Sequence, residues 1–123
     1  MIKQWFIPYN VPSSKNSKQW TGKILISSKA TQDYKKATAK YYSLYGKEFR
    51  EITENLPKPL KISFTFIRGT KHKFDYINPL QTVQDIMVKY NWIEDDNADI
   101  IIPEFKPYIY DKKKSGVLIE LNL

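Results

Sequence analysis

Six carboxylates fall within residues 73 to 99, which read KFDYINPLQTVQDIMVKYNWIEDDNAD: Asp75, Asp85, Glu94, Asp95, Asp96 and Asp99. A cluster whose only donors are oxygens selects Mg²⁺, with Mn²⁺ as the alternative, over softer metals. Two carboxylates about 4 Å apart repel by roughly 4 kcal/mol at an effective dielectric near 20, so a folded cluster needs a cation or a raised pKa. A divalent ion held between such groups activates water and stabilises the charge of a phosphodiester under attack. The alternative is a solvated turn, with Asp95, Asp96 or Asn97 capping local backbone.

Other chemistries lose their usual support. The chain has no cysteine, which excludes disulfides and thiolate metal sites, and its one histidine, His72, is expected in an exposed loop. No Gly-rich phosphate loop, Ser-His-Asp set or HExxH pattern occurs, so no nucleotide cofactor is expected.

Lysine and arginine outnumber aspartate and glutamate by 20 to 13, unevenly along the chain. Residues 1 to 73 hold 15 basic and 4 acidic side chains, whereas residues 74 to 123 hold 5 and 9. A basic segment beside an acidic one suits a protein that attracts a polyanion and presents carboxylates to it. A lysine-rich solubilising surface gives the same balance.

The elements that must position these groups follow from periodicity. Trp5, Phe6 and Ile7 mark a first strand over 2–8, ended by Pro8. The loop YNVPSSKNSKQWTG offers Lys15, Asn16 and Lys18 to phosphate oxygens, and Trp20 to packing or to a base. A strand over 23–27 is expected to pair with the first. Ser28 is placed to cap a helix whose apolar stripe is Ala30, Tyr34, Ala37, Tyr41 and Leu44, leaving Lys29, Lys35, Lys36 and Lys40 mostly off it. Gly46 is a plausible stop, with Phe49, Ile52 and Leu56 continuing in a second segment.

Leu60, Ile62, Phe64 and Phe66 alternate with polar residues as in a half-buried strand. Asn78 and Pro79 predict a capped helix to about Tyr90, with Leu80, Val83, Met87 and Tyr90 inward and Asn78, Gln81, Thr82, Asp85 and Lys89 on the opposite side. DIII (99–102), PYIY (107–110) and VLIEL (117–121) read as strands, the last two joined by a DKKKSG hairpin turn. The count is five or six strands and two or three helices: one α+β domain spanning 1–123, a mixed or antiparallel sheet with helices packed on it. No apolar run is long enough to span a bilayer, and MIKQWFIPYN lacks a signal-peptide centre, so a soluble cytoplasmic protein without a membrane partner is expected.

The arrangement resembles the RusA-type Holliday junction resolvases, endodeoxyribonucleases common in phages and prophages. The likeness covers most of the chain: an opening strand, the PxSKNS loop (Pro12 to Ser17), a strand, an SKATQDYKKA helix start, a strand, then the acidic core. That core typically reads Asp-x-Asp-Asn-x-x-Lys, a helix with another Asp, and an Asp-Asp pair. The matching positions are Asp75, Ile77, Asn78 and Gln81, then Asp85, then Asp95 and Asp96.

The resemblance implies a RusA-like fold, a homodimer, four-way DNA junctions as substrate and Mg²⁺-assisted hydrolysis in recombination or repair. Asp75 and Asp96 would be the catalytic acids, both holding metal with help from Asp95 and Asp85. Lys15, Asn16, Lys18, Lys29, Lys35, Lys36, Lys71 and Lys73 would meet DNA. Ile77 stands where the family has a second acid and Gln81 where it has a lysine, so the alternative is a RusA-fold protein that binds branched DNA or a protein partner without cutting. A helix of about 12 residues is some 18 Å long. Asp75 and Asp96 at its two ends share a metal only if the helix is shorter, the connecting turns fold back, or a dimer partner supplies one of them.

Overall fold

A central strand, Leu60–Arg68, carries the aromatic and aliphatic side chains on which the domain is built, with Ile62, Phe64 and Phe66 fully buried. The computed structural model describes residues 2–13, 18–20 and 25–123, with the backbone alone for 18–20 and 25–27. In chain order the elements are β1 (Ile2–Pro8), β2 (Lys18–Trp20), β3 (Leu25–Ser27), α1 (Lys29–Thr53), β4 (Leu60–Arg68), α2 (Ile77–Lys89), β5 (Ile101–Phe105), β6 (Ile109–Tyr110) and β7 (Gly116–Asn122). The main sheet runs β1-β7-β4-β5, and β6 also pairs with β4. It is mixed: β7 is antiparallel to both β1 and β4, while β5 and β6 run parallel to β4. The α+β class therefore holds.

Strand register aligns the buried side chains in rows across the pleat. Trp5 faces Ile119, which faces Phe64, and Ile7 faces Val117, which faces Phe66. The helices cover this face: Phe49 of α1 meets Trp5 edge-on at 5.2 Å, and Val83 and Met87 of α2 belong to the same core. Pro103 sits within β5, tolerated because β5 is an edge strand.

Four local expectations are corrected. Leu25–Ser27 pairs with Lys18–Trp20 in a separate two-stranded sheet and leaves the first strand to β7. The run from Asp111 to Gly116 is not a hairpin turn, because β6 and β7 lie on opposite sides of β4 and the connection passes over the strand's end. Asn78 is inside α2; Tyr76 takes the N-cap position and makes no side-chain cap bond.

The fourth correction concerns α1, which is continuous for 25 residues through Gly46. Its buried face is Thr31, Tyr34, Thr38, Tyr42, Gly46, Phe49 and Thr53, whereas Ala30, Ala37 and Leu44 are exposed. Threonine is at home there because its hydroxyl returns to its own helix: Thr38 donates to the Tyr34 carbonyl at 2.7 Å and Thr53 to that of Phe49 at 2.9 Å. Gly46 gives room to Trp92, since a Cβ would lie 2.8 Å from the indole. Ser28 caps as expected, accepting from the Thr31 N–H at 3.3 Å.

Candidate functional site

α2 places the acidic residues, with Asp75 before its first turn and Glu94 to Asp99 after its last. β4 and β5 are parallel neighbours, with Leu60 opposite Ile101, so the chain leaves β4 at one end of the strands and enters β5 at the other. Asp75 therefore lies at the end where β4 finishes, and the Glu94–Asp99 turn at the end where it begins. The thirteen-residue helix that connects them is about 20 Å long.

The C-terminal end of α2 is fixed by a Schellman motif. The Trp92 N–H reaches the Met87 carbonyl at 2.9 Å, the Asn91 N–H reaches that of Val88 at 3.1 Å, and Asn91 takes the left-handed φ of 62°. Asparagine adopts this conformation more readily than most residues. The motif turns Trp92 into the core, where its indole N–H donates to the Tyr42 carbonyl at 2.8 Å. Two residues later the chain emerges as the acidic turn.

In that turn the carboxylates differ in their surroundings. Asp95 accepts from the Asp96 N–H at 2.8 Å and from the Asn97 side chain at 3.1 Å, and these bonds hold its pKa below the ordinary carboxylate value. Asp96 is pushed the other way, first by partial burial, then by the charge of and a hydrogen bond with Asp95, and then by the charge of Asp85. Asp85, Asp95 and Asp96 are thus one electrostatic group. Asp85 also accepts from Gln81 at 2.9 Å across one helical turn. Asp99 donates its N–H to the Asn97 side chain, closing the turn.

Asp75 belongs to a different feature, an open cleft of about 790 Å³ between the segment 71–78 and Tyr108. Lys71, His72 and Lys73 line it with Asp75, and His72 is exposed as expected. Its wall is aromatic. Phe74 meets Tyr76 at 5.4 Å and Tyr108 at 5.2 Å, both edge-on, and the Tyr76 hydroxyl accepts the Tyr108 backbone N–H at 3.1 Å.

Beneath the cleft lies Arg68, to which periodicity assigns no role beyond the end of a strand. It is buried, and its guanidinium donates to the Val11 carbonyl at 2.7 Å and to the Ser13 hydroxyl at 2.8 Å while lying 4.5 Å over the Phe74 ring. Burial lowers its pKa, and among the described residues it forms no ion pair. The Gly69 N–H bonds the Asn10 side chain at 2.8 Å, so the loop after β1 is tied to the end of β4 at two points. An arginine closing an alternating strand is the one signal in the chain that points to this residue.

The predicted site residues thus divide. The charges of Asp85 and Asp95 reach Asp96, and Asp75 lines the cleft with Lys71 and Lys73. Among the described residues no three acidic or histidine side chains converge closely enough to enclose a metal ion. Asp85 with Asp96 suits the other mode of Mg²⁺ binding, in which one or two carboxylates act with waters and substrate phosphates. Ile77, at the place of a family acid, is 64 % exposed and offers no ligand. Thr82, predicted on the polar side of α2, is buried.

Lys71 and Lys73 edge the cleft; Lys29, Lys35 and Lys36 lie on α1 and do not line it. Lys29 pairs with Asp33 at 3.3 Å on the helix surface. Lys15, Asn16 and the side chains of Lys18 and Trp20 fall outside the described residues. No helix among the described residues is long and apolar enough to cross a membrane. Compared with known proteins, the chain matches no family model and no curated protein.

Proposed function

We propose that this chain is a RusA-like, Mg²⁺-dependent endonuclease acting on branched DNA, with four-way junctions as its substrate class. The reading is supported by the acidic turn, in which Asp95 accepts the Asp96 N–H at 2.8 Å and the charge of Asp85 reaches Asp96, on the most acidic stretch of a chain whose net charge is +7. Mutual repulsion there is what a divalent cation relieves. When bound, the ion supplies charge neutralisation and an acidified water for phosphodiester hydrolysis. Asp96 and Asp85 would hold it, Asp95 would keep the turn in shape, and Lys71 and Lys73 would take phosphate oxygens.

A homodimer suits this reading, because a second copy would bring its own Asp75 to the site, and Asp75 and the acidic turn lie at opposite ends of α2 in one chain. Incubation with Mg²⁺ and a synthetic mobile junction tests the proposal. Cleavage by the wild type and its loss in Asp96→Asn support it; an inert wild type, or equal cleavage by the variant, removes it.

A second reading, binding of branched DNA without cleavage, is favoured by Ile77 and Gln81 at two positions where the resemblance expects an acid and a lysine. Junction binding that is indifferent to Mg²⁺, with no product, decides for it.

A further inference from the structure

The cleft at the N-terminal end of α2 combines features that phosphate contacts alone do not need. Tyr108 is half exposed, yet its position is set from two sides, by the Phe74 ring and by the hydrogen bond from its N–H to Tyr76. Tyr110, on the adjoining edge strand, is 44 % exposed and lies under the Lys71 ammonium at 5.0 Å. Arg68 supports the wall from below, and its Nε has no hydrogen-bond partner among the described residues. Lys71 and Lys73 thus share with Phe74, Tyr76 and Tyr108 the lining of a space within the ordinary size of small-ligand sites, and among the described residues Asp75 is the one carboxylate there.

We propose that this cleft takes a single unpaired nucleotide of a DNA strand, its base stacked on Tyr108 and its phosphates held by Lys71 and Lys73. A paired base exposes only its edges, whereas an unpaired one offers a face, and stacking on an aromatic ring is indifferent to base identity. Such a site recognises the open strands of a branch point by their unpaired character. The inference rests on the DNA-binding part of the function proposed above and is independent of cleavage.

The test uses the full chain in EDTA at fixed salt, with fluorescence anisotropy on a short oligo-dT strand and on a blunt duplex of equal length. Tyr108→Ala is expected to weaken single-strand binding by about tenfold and duplex binding by less than about twofold, with Tyr108→Phe close to wild type. Equal loss on both DNAs, no loss on either, or displacement of the strand by polyglutamate as readily as by DNA would overturn it. Should Tyr108→Ala fail to fold, wild-type protein photo-crosslinked to an iodouracil-substituted strand decides: adducts at Tyr108 or Tyr110 support the site, and adducts only elsewhere remove it. Stacking without Mg²⁺-dependent cleavage leaves this inference standing while the nuclease reading falls; cleavage without stacking does the reverse.

Discussion

The Trp92 indole N–H donates to the Tyr42 main-chain carbonyl at 2.8 Å, and this bond joins the start of the acidic turn to the middle of α1. Tyr42 is itself held by a 2.9 Å hydroxyl contact with Tyr34, in a core where burial raises both phenols above their ordinary pKa. The acidic turn therefore hangs from a rigid aromatic core rather than from a free loop.

Gly46→Ala tests that attachment. Alanine is worth about 1 kcal/mol more than glycine inside a helix. Here its Cβ would sit 2.8 Å from the Trp92 ring and 3.0 Å from the Tyr90 carbonyl, neither of which moves freely. Overpacking of this kind costs about 1–3 kcal/mol, so the clash wins. Urea denaturation should show a lower midpoint for the variant; a higher one would mean that Trp92 shifts without cost.

Arg68 should be hard to replace. Arg68→Ala leaves the buried Val11 carbonyl with only the longer 3.4 Å bond from the Asn10 side chain, a loss of about 1–3 kcal/mol. Lysine cannot reproduce the forked pair of bonds to Val11 and Ser13, so Arg68→Lys should recover less than half of that loss. Thermal melting of the three proteins gives the order directly.

Asp96 predicts an unusual pH dependence. Its folded pKa is raised, so its ionisation opposes folding: the folded state is relatively favoured below the unfolded pKa and loses that advantage as pH rises through the folded one. Asp96→Asn should thus melt higher than wild type at neutral pH, by about 2 °C given solvent screening, and no higher in strong acid. Mg²⁺ should raise the wild-type melting temperature more than a monovalent salt of equal ionic strength and leave the variant unmoved. A variant that is less stable at neutral pH would refute the repulsion.

Lys71 and Lys73 should act on DNA through charge. Replacing both by alanine should lower junction affinity and reduce the slope of log K against log salt by about 2, one for each phosphate that is no longer neutralised. Lys29→Ala, whose partner is Asp33, should change that slope by less than either cleft lysine. Titrations at three salt concentrations separate these outcomes.

Much of the architecture is legible in the chain itself. The alternation from Leu60 to Phe66 and from Val117 to Leu121 is a property of the pleat, and the Ser28 cap is a local bond, so both are readable without neighbours. The buried face of α1 is not, because threonine and glycine look polar or disruptive in a run of residues. Only packing against Trp92 and the return bonds of the hydroxyls make them core.

For the site, sequence alone determined that the carboxylates crowd around one helix in a basic chain. Tertiary structure decided which of them meet. The parallel pairing of β4 and β5 sends Asp75 and Asp96 to opposite ends of these strands, while the Schellman turn at Asn91 returns Asp95 and Asp96 within electrostatic reach of Asp85. It also assembled the cleft, because Tyr108 is far in sequence from Arg68 and Phe74 and meets Phe74 through the pairing of β5 and β6 with β4. Spacing along a chain records local periodicity; strand direction, which is set by long-range pairing, leaves no such mark.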